Sequence, residues 1–341
     1  MAAVSRQAVS AVESGLSDPS LRVALALSRA LGLTAEELFG PSIPEPVVPV
    51  RPLAPLGAAG ARVSLAPVGD SLVALPLVGA TVTRAGFAPA GGRATETGDV
   101  VPLGPPRPTL VVAGCDPALP LLELPLSLLD PPISFVWWPC ASQEALSLAS
   151  QGLVHVAGAH LRGRSGDYNT GPASDLLRGG GDVIGFCSWR EGLVLRPELA
   201  GRVGSLADVA AAGLRLVNRE PGAEARRVLD RELARYGIGA GQVTGYETQA
   251  TGHLEVAAAI AAGLADAGIA SEPAALAYGL AFVPLTAERF DLVVPTAQAG
   301  SREVQGLLRA LTSPWLLDQL ASLPGYSVSQ CGERVATLPS K

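Results

Sequence analysis

The sequence has 341 residues, enough for two or three domains, and 48% of them are hydrophobic, which supports a sizeable buried core. The formal net charge of −6 argues against electrostatic binding of nucleic acid over an extended surface. The four cysteines and three histidines do not have the spacing of a metal-binding motif. We therefore expect reduced thiols, no metal and no cofactor.

Signals for export and catalysis are also missing from the sequence. The N-terminal segment MAAVSRQAVS lacks the apolar core of a signal peptide, and no segment is long and apolar enough to span a bilayer. There is no nucleophile elbow, no GxxxxGK[ST] loop and no glycine-rich dinucleotide fingerprint after a strand. We expect a cytoplasmic protein without a membrane partner, and a binding protein rather than an enzyme.

Three short helices are predicted at the N-terminus. Ser5 is a suitable N-cap for a helix over 6–14, and Gly15 can end that helix. Apolar residues at helical spacing predict a second helix over 21–31, and residues 34–37 have the spacing of a capping box for a third. Such a module is too small to be stable alone.

The remainder of the chain predicts sheet structure. Alternating residues at 62–66 and 71–75 indicate a small β-rich region, and from residue 109 onward strands and helices alternate. We predict an α/β fold with mostly parallel sheets. The predicted strands are 110–113, 135–138, 154–157, 183–186, 193–195, 214–217, 265–269, 282–285 and 292–294, and the longer helices are 143–150, 223–236 and 254–263.

The segment VSRQAVSAVESG at 4–15 resembles the recognition helix of Cro/repressor-type (XRE-like) helix-turn-helix regulators. Residues 19–31 resemble the helix that follows it, and 33–39 the closing "xEELF" segment. In that family two helices precede the recognition helix, so we expect a shortened module. The resemblance implies DNA contacts by Ser5, Arg6, Gln7 and Ser10, with the helix start on phosphate and side chains on base edges. An ordinary amphipathic helix with a solvated polar face is the alternative.

The chain from about residue 109 resembles the periplasmic-binding-protein-like domain of bacterial regulators, which is also fused to some molybdopterin-biosynthesis proteins. The segments that carry the resemblance are VAGCDPAL at 112–119, VHVAGAHL at 154–161, GDYN at 166–169, REGLVL at 190–195, LVNREPG at 216–222 and ADAG at 265–268. The resemblance implies a two-lobed, type II fold related to molybdate-binding proteins, with a small ligand between the lobes.

These resemblances divide the chain into four parts. Residues 1–40 are a partial helix-turn-helix segment, and 41–60, with six prolines, are a linker. Residues 61–106 form the small β-rich insert. Residues 107–341 form the ligand-sensing domain, with a second lobe over about 196–284.

The candidate ligand site consists of two turns, one in each lobe, at Gly114 and at Gly222. Each follows a predicted strand, where backbone N–H groups can converge on a ligand, and two helix starts facing one cleft suit an oxyanion or carboxylate. Arg219 can hold such a group in bidentate fashion. The candidate ligand-binding residues are Gly114, Cys115, Asp116, Tyr168, Asn169, Asn218, Arg219 and Gly222.

Each candidate also has a structural interpretation. The two glycines can simply permit tight turns, Cys115 can be a small buried hydrophobe, and Asp116 can cap a turn. Arg219 can pair with a nearby carboxylate. We expect His160 and His253 to be structural residues, because no cluster of partners is visible around them in the sequence.

The ligand class stays open at this stage. Arg226 matches the family pattern, but the small hydroxyl residues that often precede it are absent, and Glu224 would repel an oxyanion. The ligand is therefore a molybdate- or tungstate-like oxyanion or another small polar molecule. We predict a ligand-responsive DNA-binding regulator that forms a homodimer, and the alternative is an accessory binding protein that does not bind DNA.

Overall fold

The computed structural model describes residues 4–39, 46–78, 88–163 and 168–340. Two of the motif residues, Gly166 and Asp167, lie outside these ranges. The chain divides into two compact units, Met1–Val47 and Val48–Lys341.

The first unit contains the three predicted helices, α1 (Arg6–Glu13), α2 (Leu21–Leu31) and α3 (Ala35–Phe39). The Ser5 hydroxyl caps α1 by accepting a hydrogen bond from the Ala8 N–H at 3.2 Å, as predicted. Glycines with positive φ follow both longer helices, at Gly15 (66°) and Gly32 (71°). The predicted limits of these helices are confirmed to within a residue or two.

The second unit begins with a small five-stranded sheet in the order β1-β3-β2-β4-β5. Its strands are β1 (Arg51–Pro52), β2 (Arg62–Val68), β3 (Ser71–Pro76), β4 (Gly92–Ala94) and β5 (Val100–Pro102). The alternation at 62–66 and 71–75 therefore marks two real strands, which pair as an antiparallel hairpin.

Part of the segment predicted as a linker belongs to this sheet. Arg51 and Pro52 pair with β3, and Leu53 and Leu56 are buried. Pro52 does not prevent this pairing, because β1 is an edge strand. The position at which proline lacks an N–H faces away from the sheet, so no hydrogen bond between strands is lost. Several β2 and β3 side chains share one apolar core with the α/β part of the unit.

A nine-stranded mixed sheet forms the α/β part, in the order β11-β10-β12-β9-β13-β8-β6-β7, with β14 also paired to β9. Its strands are β6 (Thr109–Ala113), β7 (Ser134–Trp138), β8 (Val156–Ala159), β9 (Gly181–Leu195), β10 (Leu216–Arg219), β11 (Gln249–Ala250), β12 (Ala267–Ser271), β13 (Ala281–Pro295) and β14 (Arg334–Leu338).

Ten helices accompany this sheet in the described part of the chain. They are α4 (Glu123–Ser127), α5 (Ser142–Ser150), α6 (Thr170–Leu176), α7 (Leu206–Ala211), α8 (Glu224–Arg235), α9 (His253–Ala261), α10 (Glu272–Ala277), α11 (Thr296–Ala299), α12 (Arg302–Leu311) and α13 (Pro314–Ser322). No helix in the described ranges combines the length and hydrophobicity needed to cross a bilayer.

The long strands β9 and β13 divide the sheet into two lobes. Gly181 of β9 pairs with Pro295 of β13, and Leu195 pairs with Ala281, so the two strands run antiparallel along their whole length. β8 pairs with the C-terminal part of β13, whereas β12 pairs with the C-terminal part of β9. The first lobe therefore contains β6, β7 and β8, and the second contains β10, β11 and β12.

The prediction of mostly parallel sheets holds within the lobes but not between them. β6 pairs in parallel with β7 and β8, and β10 pairs in parallel with β11 and β12. Neighbouring residues of β6 face opposite cores, with Val111 in one and Leu110 and Val112 in the other. A strand covered on both faces is apolar at every position, which is why its sequence is a continuous apolar run.

Candidate ligand-binding cleft

The two predicted turns approach each other across the cleft between the lobes. A Cβ placed on Gly222, in the second lobe, would lie 3.3 Å from Gln143 Cβ and 3.9 Å from Ala141 Cβ, both in the first lobe. Just before Ala141, the Cys140 N–H donates to the carbonyl of Gly114 at 3.4 Å. The Gly114 and Gly222 turns therefore lie on either side of a close contact between the two lobes.

Five ionisable side chains meet where the lobes join the two long strands, and we call them the hinge cluster: Cys115, His160, Glu191, His253 and Glu288. They come from both lobes and from the strands that join them. Cys115 follows β6, His160 follows β8 and His253 begins α9, while Glu191 lies in β9 and Glu288 in β13. All five residues are buried.

The pairing of β9 with β13 explains how two carboxylates reach the same place. Trp189 and Glu191 are two positions apart in β9, so they point to the same face of the sheet. Glu288 is the direct antiparallel partner of Trp189 and shares that face. The rings of Trp189 and Phe290 pack against His160, with centroids 5.4 and 6.2 Å away, and enclose the cluster.

The distances between histidine and carboxylate in the hinge cluster are short but exceed those of hydrogen bonds. His160 Nδ1 lies 3.8 Å from Glu288 Oε2, and His253 Nδ1 lies 3.8 Å from Glu191 Oε1. Two sets of three side chains, each including His160, have ligand atoms within 4.8 Å of one another. One set adds Glu191 and Glu288, and the other adds Cys115 and His253.

Many polar atoms of the hinge cluster have no hydrogen-bond partner among the described residues. Both ring nitrogens of His160 and all four carboxylate oxygens of Glu191 and Glu288 are in this state. The indole N–H of Trp189 and the Arg219 Nη1 are buried nearby and likewise unpartnered within the described ranges. Because buried polar groups in native proteins are almost always satisfied, this concentration indicates a place where something else binds.

Burial and mutual charge shift the pKa values of the hinge cluster. Burial raises the pKa of Glu191 to about 8, with His160 lowering it and Glu288 raising it. Burial alone would lower the pKa of His160, but Cys115, Glu288 and Glu191 raise it well above its ordinary value. Burial, Arg219 and His160 together hold the pKa of His253 well below its usual range. His253 is therefore neutral.

Comparisons with known proteins agree with this architecture. A family model described as "PBP superfamily domain" matches residues 126–312, which is more than half of the chain, and a helix-turn-helix model matches residues 1–38. The chain belongs to the PBP superfamily. The predicted fusion of a helix-turn-helix segment to a binding-protein-like domain is thus confirmed, as is the α/β fold class.

Two relatives are similar to this PBP protein in sequence, one over two thirds of the chain and the other over one third. YvgK of Bacillus subtilis (strain 168) is 27% identical over 231 residues, which cover 67% of this chain and 73% of YvgK. A Clostridium pasteurianum protein encoded in the 5′ region of a 2Fe-2S ferredoxin gene is 31% identical over 112 residues, covering 33% of this chain and 99% of that protein. The structure of the tungstate ABC transporter from Geobacter sulfurreducens aligns with a TM-score of 0.47 at 12% identity, over 62% of this chain and 97% of that one.

Three of the predicted ligand residues in the PBP domain are occupied with bonds to the protein itself. Asp116 accepts hydrogen bonds from the Ala118 N–H, the Cys187 thiol and the Tyr326 hydroxyl. The side chain of Asn169 bonds to Leu161, Arg289 and Asp291, and that of Asn218 bonds to Tyr246 and Arg219. The turn-capping interpretation of Asp116 accounts for its contacts, and we expect all three side chains to shape the cleft rather than contact a ligand.

Four others have different surroundings. Cys115 belongs to the hinge cluster, with its sulfur 4.0 Å from His253 Nε2. Arg219 is buried and bonded through two nitrogens to Glu220, and its third nitrogen has no partner in the described ranges. Tyr168 donates its hydroxyl hydrogen to the carbonyl of Ala287 beside the hinge. Gly114 permits close approach, since a Cβ there would lie 3.0 Å from the Gly158 Cα.

Carboxylates surround the closed cleft. Glu144 stands in the first turn of α5, and Glu224 in that of α8, where it is buried against Arg227 and Arg231. Glu224 takes up the start of α8, one of the two helix starts that were predicted to bind an oxyanion. Burial and, to a lesser extent, the nearby Glu220 raise the pKa of Glu144.

Sequence reasoning missed the hinge cluster. It took His160 and His253 as structural and expected no metal site, whereas the structure brings both histidines together with a thiol and two carboxylates. One signal was available, because Cys115 and His160 each follow one of two neighbouring parallel strands, whose carboxyl ends meet at one edge. Glu191 and Glu288 had no such signal.

The residues predicted to contact DNA lie in the first unit. Ser5 caps α1, and Arg6, Gln7 and Ser10 are exposed on that helix. Ser5 to Ser10 thus present donors at and just beyond a helix start, which is the arrangement that suits phosphate and base edges.

Proposed function

We propose that this protein is a ligand-responsive transcriptional regulator that works in the cytoplasm as a homodimer. The helix-turn-helix segment would bind DNA, and the PBP domain would sense a small molecule. The observation that carries the proposal is the hinge cluster, whose residues come from both lobes and from the two strands between them, with unsatisfied polar atoms on His160, Glu191 and Glu288. A ligand bound there favours the closed form over the open one, which is a hinge-type switch.

The charges in the cleft bear on the ligand class. Arg219 is already paired with Glu220, so Glu191 and Glu288 have no matched cation except His160. A molybdate-like oxyanion would add negative charge beside these two carboxyl groups, where burial already raises the pKa of Glu191 to about 8, at a high electrostatic cost in a buried site. We infer that the ligand is a polar species that contributes positive charge or hydrogen-bond donors, the second of the two classes left open by the sequence.

A ligand screen tests this inference. Thermal-shift measurements would compare molybdate, tungstate, sulfate, small carboxylates and divalent cations, since only a species that binds the folded state raises the melting temperature. Stabilisation by molybdate or tungstate alone would contradict the charge argument and restore the oxyanion.

DNA binding is tested on the DNA upstream of the protein's own gene, by fluorescence anisotropy with and without the stabilising ligand. Arg6→Ala is expected to lower specific affinity by about 1–3 kcal/mol if Arg6 reads a base. Arg29→Ala is the matched control, because Arg29 is exposed on α2. Its replacement removes the same charge from outside α1. Equal effects of the two variants would show that α1 does not read sequence.

An accessory binding protein is the second candidate. The segment 1–40 carries three arginines against four carboxylates, which gives little electrostatic attraction for DNA. Stabilisation by a ligand, together with no binding to the upstream DNA at low salt, would favour this function over regulation.

A further inference from the structure

We propose that His160, Glu191 and Glu288 form a binding site for a divalent first-row transition-metal cation between the lobes. The inference rests on the sensor function proposed above and names the chemistry of its ligand. All three side chains are fully buried, with 0% relative exposure. Their ligand atoms lie within 4.8 Å of one another. Bonds of about 2.0–2.2 Å hold two ligands of one ion no more than about 4.4 Å apart, so the three side chains must draw slightly together when the ion binds.

The unsatisfied atoms point to a cation. Four carboxylate oxygens and both imidazole nitrogens lack hydrogen-bond partners among the described residues. The four carboxylate oxygens are acceptors, and one His160 nitrogen becomes an acceptor when the ring is neutral. None of these five atoms receives a hydrogen bond from a donor among the described residues. A cation satisfies several of them at once, because the carboxylate oxygens and the unprotonated imidazole nitrogen can each give it a lone pair.

The alternative set of Cys115, His160 and His253 is less suited to a metal. His253 Nδ1 accepts a hydrogen bond from the backbone N–H of Ser271 at 3.2 Å, and a backbone N–H cannot reverse its role. The neutral ring therefore carries its proton on Nε2, the nitrogen that faces Cys115. That nitrogen has no free lone pair, so His253 acts as a donor beside the site and not as a ligand.

The ligand atoms indicate the class of metal. One imidazole nitrogen and two carboxylates suit Mn²⁺, Fe²⁺, Co²⁺, Ni²⁺ and Zn²⁺. Mg²⁺ and Ca²⁺ prefer oxygen ligands alone, and Cu⁺ prefers thiolates. Since Glu191 and Glu288 lie on the connecting strands and His160 in the first lobe, an ion here fixes the hinge region against one lobe and is covered by the other.

The test uses the full chain without an affinity tag, freed of metal by chelation. Competition with a chromophoric chelator would measure Zn²⁺ and Mn²⁺ affinity for the wild type, Glu191→Gln and Glu288→Gln. We expect each variant to lose about 100-fold or more in affinity, beyond the effect of a typical outer-shell change. Glu224→Gln is the matched control, because Glu224 is an equally buried carboxylate that is already paired with Arg227 and Arg231, and it should leave the affinity unchanged.

A stability measurement separates a metal ligand from a structural carboxylate. Without metal, Glu191→Gln and Glu288→Gln should be as stable as the wild type or more stable, since each replaces a buried carboxyl group that has no hydrogen-bond partner among the described residues by an uncharged amide of similar size. A structural role predicts a loss of stability in the metal-free protein instead. Wild-type affinities retained by both variants, or failure of all five transition-metal ions to bind the wild type, would overturn the proposal.

Co²⁺ spectroscopy tests the choice of ligand set. The His160, Glu191 and Glu288 site predicts visible cobalt bands without a thiolate-to-metal charge-transfer band in the near ultraviolet. Such a band, lost in Cys115→Ser, would assign the metal to the other set and refute ours. Metal binding without any effect on DNA affinity would reject the regulator function but keep the site, whereas a regulator that responds only to an organic ligand would reject the site alone.

Discussion

Replacing Gly222 with valine should prevent full closure of the lobes. Gly222 has a φ of +89°, and a Cβ there would lie 3.3 Å from Gln143 Cβ across the cleft. The added methyl groups of valine extend further toward the first lobe. Overpacking of this kind costs about 1–3 kcal/mol, and here the cost falls only on the closed form.

The backbone contribution must be separated from the steric one. A side chain at positive φ costs about 1–2 kcal/mol whatever surrounds it. Gly213→Val is the matched control, because Gly213 also has a positive φ, of +62°, and a Cβ there would have no described atom within 4 Å. Both variants should therefore lose global stability, but only Gly222→Val should disfavour closure.

Ligand affinity and shape are the two measurements. A cost of 1–3 kcal/mol on the closed form lowers affinity by roughly 5- to 150-fold for any ligand that binds between the lobes. Zn²⁺, or the compound that gives the largest thermal shift, would be titrated into each variant, and small-angle scattering would follow the contraction on binding. Equal losses of affinity in the two variants would refute the reasoning, because closure would then not depend on the contact at Gly222.

Three further changes test other parts of the structure. Burial lowers the pKa of His155 from 6.5 to about 4, so the stability that the neutral ring contributes, about 3 kcal/mol, is complete above pH 6.5 and is lost as the pH falls toward 4. Urea unfolding at both ends of this range should show a loss about 3 kcal/mol larger in the wild type than in His155→Gln, since the other titrating groups are common to both proteins. Asn169→Ala should cost about 2–4 kcal/mol, because it removes one of the two bonds to the buried Asp291, which keeps Arg289, deprives the Leu161 N–H of its acceptor and places alanine at a φ of 61°. Asn169→Gly should recover the backbone part, about 1 kcal/mol, in the same assay. Ser5→Ala should destabilise α1 by about 1 kcal/mol through loss of the bond from Ala8, seen as faster amide exchange in that helix, and Ser5→Thr should restore it.

The fold could be predicted from the sequence wherever a strand was apolar along its length. The predicted strand 110–113 corresponds to β6, and the predicted helix 223–236 corresponds to α8, each to within a residue or so. These elements are buried by the sheet and its covering layers, so their sequences carry the pattern on their own.

The long connecting strands could not be predicted in the same way. Residues 183–186 and 193–195 were predicted as two strands, but they are the ends of one strand, β9 (Gly181–Leu195). The polar segment between them, which includes Arg190 and Glu191, interrupts the apolar pattern. It is nevertheless a strand because β13 pairs with it along its whole length, and that pairing depends on residues about a hundred positions away in the sequence.

The same interruption marks the candidate site. A charged residue in the middle of a buried strand is unfavourable for stability, and local sequence rules treat it as the end of the strand. Glu191 and Glu288 are nevertheless buried in the two long strands at the point where the lobes meet. A polar break between two apolar runs, repeated in two strands, is therefore a signal for a hinge site that sequence analysis could use.

The unsatisfied state of the hinge cluster suits a sensor better than a satisfied one would. If the carboxylates of Glu191 and Glu288 were fully paired within the protein, the closed form would be stable without ligand and binding would change little. Left unpaired, each carboxylate destabilises the closed form by about 1–3 kcal/mol, because water can hydrogen-bond to it only in the open form. Two such groups bias the ligand-free protein toward opening by roughly 2–6 kcal/mol, which is the size of shift that a ligand must reverse to convert a mostly open population into a mostly closed one. Closure thus depends on the ligand because the binding groups are incompatible with burial on their own.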